Sequence, residues 1–291
     1  MGTAPNKLAL GTVQFGLDYG ISNTKGQIPE NQVREILHFC RQHNINTLDT
    51  AAAYGQSEAI LGNLLSNFNF QVISKLAPGS APAEVSPQLH HSVEKLKLTQ
   101  LYGYLVHDYA TYEKSPGIYD EIVKLQTAGL ILKAGFSLYY PAQLEKILQD
   151  NLPVQLVQIP FNVLDQRFAY LLPELAVRNI EVHARSIFLQ GLFFKTTANL
   201  PAFFASLKPA LETIQQITAA SGIPLPALLL CFVHSFPEVS KLVIGVTSVA
   251  ELAANISYVH ALEALTPYWA SLKELACADE DLILPFNWKL T

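Results

Sequence analysis

The feature that most constrains the fold is a regular alternation of short apolar runs with segments that have helical spacing. Runs such as 72–73 and 242–244 are apolar on successive residues, which is typical of strands buried on both faces of a parallel sheet. The alternation predicts eight strands, over residues 8–10, 47–48, 72–74, 101–106, 134–136, 156–159, 181–184 and 242–244.

The segments between these strands have the spacing of helices that bury one face. Val33, Ile36, Leu37 and Cys40, for example, fall at i, i+3, i+4 and i+7. Eight strand-helix units in 291 residues give about 36 residues per unit, which suits a (β/α)8 barrel. We therefore predict an α/β protein, a TIM barrel with a single domain over residues 1–291, in which 262–291 form a C-terminal extension near the barrel mouth.

The motifs of several other α/β enzymes are missing from the sequence. An open, doubly wound sheet uses the same repeating unit, but the chain has no G-x-G-x-x-G fingerprint. It also has no G-x-x-x-x-G-K-[ST] loop, H-E-x-x-H helix or G-x-S-x-G elbow. These absences disfavour Rossmann, P-loop, zincin and α/β-hydrolase folds.

The composition indicates a small-molecule partner. Half of the residues are apolar (50%), only 15% are charged, and the net charge of -5 comes without a basic run that would bind nucleic acid or an anionic membrane. The N-terminus lacks a signal-peptide pattern, and two prolines and a histidine interrupt the most apolar window, 223–236, so we expect a cytoplasmic protein. Three widely spaced cysteines predict neither a disulfide framework nor a zinc site.

Polar side chains capable of chemistry occur at the ends of three predicted strands. They are Asp49, Lys75 and His107, and Tyr54 follows five residues after Asp49. Because a barrel carries its active site at the carboxyl ends of its strands, these four groups would meet at one mouth. Each strand-end residue also has an ordinary alternative role, as a helix cap, a rim lysine or a strand-end histidine respectively. His38, His43, His90 and His91 have no such placement and are expected at the surface.

A series of segments resembles the aldo-keto reductase family. The segments are LALGTVQFG, DTAAAYGQSE, VISK, LVH, GFS, VQIPFN, QGLF and IGVTSVAELAAN, and they run in the family order from Leu8 to Asn255. The resemblance implies NAD(P)H-dependent reduction of an aldehyde or ketone to an alcohol. It places the catalytic tetrad at Asp49, Tyr54, Lys75 and His107.

Each member of this tetrad has a role that its chemistry can perform. Tyr54 would act as the general acid that protonates the carbonyl oxygen. The Lys75 ammonium would lower the pKa of that phenol, and Asp49 would keep Lys75 in place and protonated. His107 would orient the carbonyl oxygen and share its developing charge.

The resemblance also implies a nicotinamide nucleotide, NADP(H) with NAD(H) as the alternative, and neither a metal nor a flavin. Arg185 stands where many members stack an aromatic ring on the nicotinamide; its planar guanidinium could stack there or face a substrate carboxylate or phosphate. Leu138 replaces an amide side chain that many members have. The remaining implied cofactor residues are Ser137, Gln158, Ser186, Gly191, Leu192, Gly245, Thr247, Ser248, Glu251 and Asn255.

The adenosine end departs most from the family pattern. Gly245 and Glu251 stand where the family often has the lysine and arginine that bind the 2′-phosphate of NADPH, which leaves the hydroxyls of Thr247 and Ser248. A carboxylate repels a phosphate dianion, and charge-assisted hydrogen bonds are the stronger kind. We therefore predict only modest discrimination, with NADPH accepted and NADH usable.

The substrate pocket is predicted around Phe15, Tyr19, Phe188 and Trp288, with Phe193 in the core, and a small polar or sugar-like carbonyl compound is the expected substrate. One alternative function is a sensor or regulatory subunit that binds the nucleotide and reacts slowly. Another is a Schiff-base aldolase that uses Lys75 as its nucleophile. The expected assembly is a monomer or a weak homo-oligomer.

Overall fold

A computed structural model describes residues 7–20 and 26–289. Within them, eight strands pair in parallel with their neighbours in the chain, and the first pairs with the last to close a barrel. The predicted (β/α)8 barrel and its single domain are confirmed. The strands are β1 (Leu8–Gly11), β2 (Thr47–Asp49), β3 (Gln71–Leu76), β4 (Leu101–Val106), β5 (Ile131–Ser137), β6 (Leu156–Pro160), β7 (Glu181–Arg185) and β8 (Val239–Ile244).

Each predicted strand lies inside an observed strand, but two begin well before their predicted starts. β5 begins at Ile131 and β8 at Val239, which in both cases is three residues earlier. Polar side chains, Lys133 in β5 and Lys241 in β8, interrupt the apolar run there. The apolar pattern therefore marked only the fully buried part of each strand.

Helices surround the barrel and bury one face against it. In the second helix the buried residues include Val33, Ile36, Leu37 and Cys40, which confirms the predicted stripe. The α-helices are α1 (Val13–Gly16), α2 (Glu30–Gln42), α3 (Ser57–Leu64), α4 (Pro82–Leu96), α5 (Tyr109–Lys114), α6 (Gly117–Thr127), α7 (Pro141–Gln149), α8 (Leu172–Val177), α9 (Lys208–Ser221), α10 (Leu225–His234), α11 (Val249–Ile256), α12 (Trp269–Lys273) and α13 (Glu280–Ile283).

Short 3₁₀ helices lie in the connections. They span Leu65–Asn67, Ala169–Leu171, Leu189–Phe194, Thr197–Asn199, Ala202–Leu207, Ser257–Ala261, Glu263–Tyr268 and Pro285–Asn287.

The segment after residue 262 contacts loops that follow β5 and β6. The Cys277 amide donates to the Leu164 carbonyl oxygen at 2.8 Å, and Glu280 pairs with Arg167 at 2.7 Å. The Phe286 ring packs edge-on against Tyr139, with 4.8 Å between centroids. These contacts hold the segment on the side of the barrel where the strands end.

No single helix among the described residues is long and apolar enough to cross a membrane. One bent pair, Ala202–Ser221 and Leu225–His234, satisfies length and composition only when its two parts, which meet at 101°, are taken together. The second part is α10, and seven of its residues are buried in the protein. Cys40 and Cys231 are buried free thiols, and Cys277 is partly exposed.

Candidate active site

The carboxyl ends of the strands surround a cavity of about 580 Å³. It is lined by residues of β1, β2, β5, β6, β7 and β8, by the loops that follow all of these strands except β6 and by the loop after β4, and by α10 and α11. The predicted site residues that line it are Tyr19, Asp49, Tyr54, His107, Ser137, Gln158, Arg185, Ser186, Phe188, Gly191, Gly245, Thr247, Glu251 and Asn255.

A buried ion pair lies at one end of this cavity. Lys75 is fully buried, and its Nζ lies 2.8 Å from each carboxylate oxygen of Asp49. The same Nζ donates a third hydrogen bond, of 2.8 Å, to the Thr50 carbonyl oxygen. Burial lowers the pKa of Lys75, and the charge of Asp49 opposes that shift. The three acceptors match the three N–H donors of an ammonium group.

Tyr54 lies beside the ion pair, in the loop between β2 and α3. The centre of its ring is 5.0 Å from Lys75 Nζ. Burial and the charge of Asp49 raise the pKa of Tyr54, whereas the charge of Arg185 lowers it. This shift of the Tyr54 pKa runs opposite to the predicted one, because burial is its largest cause and Asp49 balances the charge of Lys75.

Close backbone contacts fix the loop that carries Tyr54. A Cβ atom on Gly16 would lie 1.8 Å from the Tyr54 carbonyl oxygen, so only glycine fits at this position. Next to it, Ser57 Oγ donates to Thr12 Oγ1 at 2.8 Å, and Thr50 Oγ1 donates to Ser57 Oγ at 3.1 Å. These contacts join the ends of β1 and β2 and hold the loop in one position.

His107 follows β4 and faces the same cavity. Its ring is edge-on to Tyr54, with 5.8 Å between ring centroids. Burial and the charge of Lys75 lower the pKa of His107 to about 3, so the imidazole is neutral at physiological pH. Its Nδ1 is buried and finds no hydrogen-bond partner in the described part of the chain.

Gln158, in the middle of β6, links the cavity to the ion pair. Its Nε2 donates to Asp49 Oδ1 at 2.7 Å, and the residue is buried. Ser137, the last residue of β5, lies beside it in the strand register. The predicted carboxamide-binding pair is therefore adjacent, and one of its members also orients Asp49.

The loop after β7 has an unusual backbone where it lines the cavity. Ser186, Leu189 and Gln190 have φ values of 59°, 44° and 49°, and Gly191 has 93°. Residues other than glycine rarely adopt this left-handed conformation. Backbone strain of this kind is concentrated at ligand-binding sites. Gly191 is the one of the four that adopts it without strain.

Glu251 closes the far end of the cavity. Its carboxylate accepts hydrogen bonds from the Thr247 amide at 2.6 Å and from Thr247 Oγ1 at 2.9 Å. Gly245 lies nearby, and a Cβ there would come within 2.7 Å of Gln14 Oε1. That oxygen is buried and has no hydrogen-bond partner among the described residues.

Comparison with known proteins gives the family of the chain. A sequence model of the Aldo/keto reductase family matches residues 7–275. The chain belongs to the aldo/keto reductase family. Similar solved structures include an aldo-keto reductase from Bacillus halodurans in its holo form, 18% identical with a TM-score of 0.74, covering 95% of each chain.

A protein from Pseudomonas aeruginosa assigned to the same family is 20% identical with a TM-score of 0.68. The match covers 91% of this chain and 92% of that one. At these identities the structural likeness shows the fold alone. No curated protein matches the sequence.

Five residues predicted for the aldo-keto reductase site do not line the cavity. Lys75 is one of them, because it is fully buried. Phe15 and Leu192 are fully buried in the core. Ser248 caps α11, where its Oγ accepts from the Glu251 amide at 3.2 Å. Trp288 packs on Phe204 at 4.9 Å, and its Nε1 donates to the Leu282 carbonyl oxygen at 2.9 Å. The resemblance did not give the directions of these side chains.

Other expectations about individual side chains are confirmed. Phe193 is buried in the core, and His38, His43, His90 and His91 are exposed.

No group of three or more His, Cys, Asp or Glu side chains in the described residues could hold a metal ion.

Several cavity residues of this aldo-keto reductase were not predicted, and three of them bear on the site. Gln14 lies in the LALGTVQFG segment, so the motif contained a signal for it. Tyr139 comes two residues after Ser137 at the end of β5, a position that strand-end reasoning would have examined. Gln190 donates to the Tyr19 hydroxyl at 2.9 Å across 171 residues of sequence, and no local pattern indicates this contact.

Proposed function

We propose that this protein reduces an aldehyde or ketone with a nicotinamide nucleotide and that Tyr54 delivers the proton. The observation that carries the proposal is the pairing of Tyr54 and His107 at the cavity wall beside the buried Asp49–Lys75 ion pair. Reduction needs a proton donor and a hydrogen-bond donor at the carbonyl oxygen. Both groups are present at one point of one cavity.

The ionisation states of these residues suit reduction. Since burial and Asp49 raise the pKa of Tyr54, the phenol keeps its proton until a stronger base forms beside it. The alkoxide that results from hydride addition is such a base. His107, held neutral, has an N–H to donate to the carbonyl oxygen without adding a second proton source.

The lining of the cavity suits a nicotinamide dinucleotide, which would supply the hydride when bound. Gln14 Oε1 offers a buried acceptor without a partner. Ser137, Gln158 and Asn255 add polar groups along the cavity wall, and the glycine at 191 lets the loop after β7 keep its left-handed backbone beside it. These residues would bind and orient the cofactor, while Tyr54 and His107 act on the substrate.

Glu251 supports the proposed modest preference between NADPH and NADH. It already occupies the amide and hydroxyl donors of Thr247, which would otherwise face a 2′-phosphate, and its charge repels that group. We expect Kd values for the two nucleotides, measured side by side at fixed salt, to differ by less than roughly 100-fold.

Glu251→Gln tests this explanation, because it removes the charge and keeps the size. NADPH binding should tighten by roughly tenfold relative to NADH binding, a change worth about 1.4 kcal/mol. Glu212, in the outer helix α9, provides the matched control as Glu212→Gln. A wild-type preference for NADPH beyond a factor of about 100 would show that a basic residue elsewhere reaches the phosphate.

The proposed reaction is tested with a panel of carbonyl compounds, followed by the loss of reduced nicotinamide absorbance. Tyr54→Phe should lower kcat/KM by roughly 100- to 10,000-fold, because it deletes the proton donor and keeps the ring. Its nucleotide Kd should remain near the wild-type value. Tyr268→Phe, far along the C-terminal segment, is the control. Near-normal turnover in Tyr54→Phe would remove this residue from the mechanism.

The two alternative functions have less support. Lys75 is fully buried, its Nζ has three acceptors, and it does not line the cavity, so borohydride trapping with a carbonyl compound should leave it unlabelled. A nucleotide sensor would bind the cofactor, but it would show no turnover of the carbonyl panel that depends on Tyr54.

A further inference from the structure

Arg185 is a cation placed inside the cavity. It is the last residue of β7, is partly buried, and lines the cavity together with Tyr54 and His107. Its guanidinium carbon lies 4.0 Å from the centre of the Tyr139 ring. Nη2 donates to the Leu138 carbonyl oxygen at 2.9 Å, and Nη1 lies 3.3 Å from Ser186 Oγ. The ring and the carbonyl oxygen hold the guanidinium in one orientation.

The positive charge of Arg185 has no anionic partner. In residues 7–20 and 26–289 no carboxylate lies within ion-pairing distance of it. Asp49 lines the same cavity, but it is committed to Lys75 and Gln158. A partly buried cation without a counter-charge is costly, and a ligand anion would relieve that cost.

Arg167 shows what a structural arginine looks like in the same part of the fold. It also lies over a tyrosine, with 5.9 Å from its guanidinium carbon to the centre of the Tyr140 ring. Unlike Arg185, it pairs with two carboxylates, Asp165 at 2.9 Å and Glu280 at 2.7 Å. Both arginines therefore lie over neighbouring tyrosines. Arg167 has carboxylate partners, whereas Arg185, which faces the cavity, has none.

Arg185 is close enough to the reacting groups to bind a second group of the same small substrate. Its charge contributes to the pKa shifts of Tyr54, His107 and Tyr19, all of which line the cavity. A guanidinium presents a planar fork of N–H donors that matches carboxylate and phosphate oxygens. The hydroxyl of Tyr19, fixed by Gln190, lies in the same wall.

We propose that Arg185, held against Tyr139, binds an anionic group of the substrate, so that the carbonyl compound reduced here carries a carboxylate or a phosphate. This inference rests on the proposed carbonyl reduction and names its substrate class. The carbonyl oxygen would meet Tyr54 and His107, and the anionic group would meet the guanidinium fork.

Matched substrate pairs test the proposal on the wild-type enzyme. We choose 4-carboxybenzaldehyde against its methyl ester, and glyceraldehyde 3-phosphate against glyceraldehyde, each with saturating nucleotide. For at least one pair the anionic member should have the higher kcat/KM by roughly 10- to 100-fold, the size expected of a hydrogen bond to a charged group. The two pairs distinguish carboxylate from phosphate. The ratio should fall as salt rises, because the contact is partly exposed.

Variants then assign the ratio to Arg185. Arg185→Met should bring the anionic-to-neutral ratio close to one, mainly through KM of the anionic substrate. Arg185→Lys should keep part of the ratio, because the charge remains while the planar fork is lost. Arg34→Met is the matched control, since Arg34 is exposed on α2 and its loss changes the net charge equally. Melting temperatures check that each variant folds.

The outcomes separate this proposal from the proposed function. If no carbonyl compound in the panel is reduced, carbonyl reduction itself fails. If neutral and anionic members are reduced equally by the wild type at low salt, reduction stands and the anion site is wrong, whatever the variants do. If Arg185→Lys weakens nucleotide Kd while the substrate ratio stays intact, Arg185 serves the nicotinamide ring, and the proposal is again overturned.

Discussion

In the described part of the barrel, two ionic clusters include strand residues, one at each end of the strands. The mouth cluster consists of Asp49, Tyr54, Lys75 and His107. The lower cluster, near the strand starts, consists of Tyr102, Lys133, Glu181 and His183. In both, one carboxylate accepts several donors: Asp49 binds Lys75 and Gln158, while Glu181 binds Tyr102 at 2.7 Å, His183 at 2.6 Å and Lys133.

The difference between the clusters lies in what surrounds them. No residue of the lower cluster lines the large cavity, whereas Asp49, Tyr54 and His107 do. Burial would raise the pKa of Glu181, but the donors from His183, Lys133 and Tyr102 lower it to about 2. A perturbed pKa alone therefore does not identify an active site. The additional feature that marks the mouth cluster as the candidate active site is a proton donor beside an open cavity.

The largest expected effect comes from replacing the lysine of each cluster. Lys75→Met leaves Asp49 as a buried charge without its cation, so the free energy of unfolding should fall by about 3–5 kcal/mol. Carbonyl reduction should fall by at least roughly 100-fold. Lys133→Met leaves Glu181 with two donors, and the ion pair that it removes is partly exposed. The free energy of unfolding should therefore fall by only about 1 kcal/mol. Urea unfolding and kcat/KM measure the two effects.

Lys133→Met is the matched control for Lys75→Met, because both change one lysine of an ion pair inside the same barrel. Losses of activity that scale with the loss of stability in the two variants would show that activity follows stability and not position. Unchanged activity in Lys75→Met would remove the ion pair from the mechanism.

A smaller effect is expected from Glu181→Gln, which removes the charge of the lower cluster and keeps its shape. His183 and Lys133 lose a charged acceptor, so the free energy of unfolding should fall by about 2 kcal/mol. Asp49→Asn is its counterpart at the mouth and should lower kcat/KM as well as stability. If Glu181→Gln lost kcat/KM at a temperature where it remains folded, the lower cluster would also contribute to activity. The functional difference between the two clusters would then be wrong.

The same contrast explains how much the sequence could predict. Asp49, Lys75 and His107 each end an apolar run, so strand-end reasoning and the family resemblance both reached them. The lower cluster interrupts the apolar pattern instead: Lys133 hid the start of β5, and Lys133 and Glu181 are 48 residues apart. Contacts of this kind depend on barrel register, which no local pattern contains.

Side-chain direction was the second part that the sequence could not supply. Phe15 and Trp288 belong to segments at the mouth, but one fills the core and the other packs on Phe204. Tyr139 shows the reverse case, because its role appears only once Arg185 is seen to lie on its ring. An aromatic residue near a barrel mouth suits either a core or a pocket, and packing decides between them.

The last expected effect is a pH dependence that separates the two ends, and it develops gradually over two pH units. His107 has its pKa lowered from 6.5 to about 3 by burial and by Lys75. Between those values the unfolded chain binds more protons, so stability is lost as pH falls below 6.5, by at most about 1.4 kcal/mol per pH unit from this residue. Glu181, lowered from 4.5 to about 2, contributes only below 4.5.

The free energy of unfolding in urea at pH 6.5, 5.5 and 4.5 should therefore report mainly the protonation of His107 and not that of Glu181. His234, whose pKa burial and the charge of Lys7 lower to about 4, adds a slope of its own in this range. His107→Asn should flatten the wild-type slope by up to about 1.4 kcal/mol per pH unit, and His234→Asn serves as the comparison outside the cavity. Glu181→Gln should leave the slope unchanged down to pH 4.5. A slope that His107→Asn leaves intact would mean that folding does not lower the pKa of His107, and burial at the mouth would then not be what keeps the imidazole neutral.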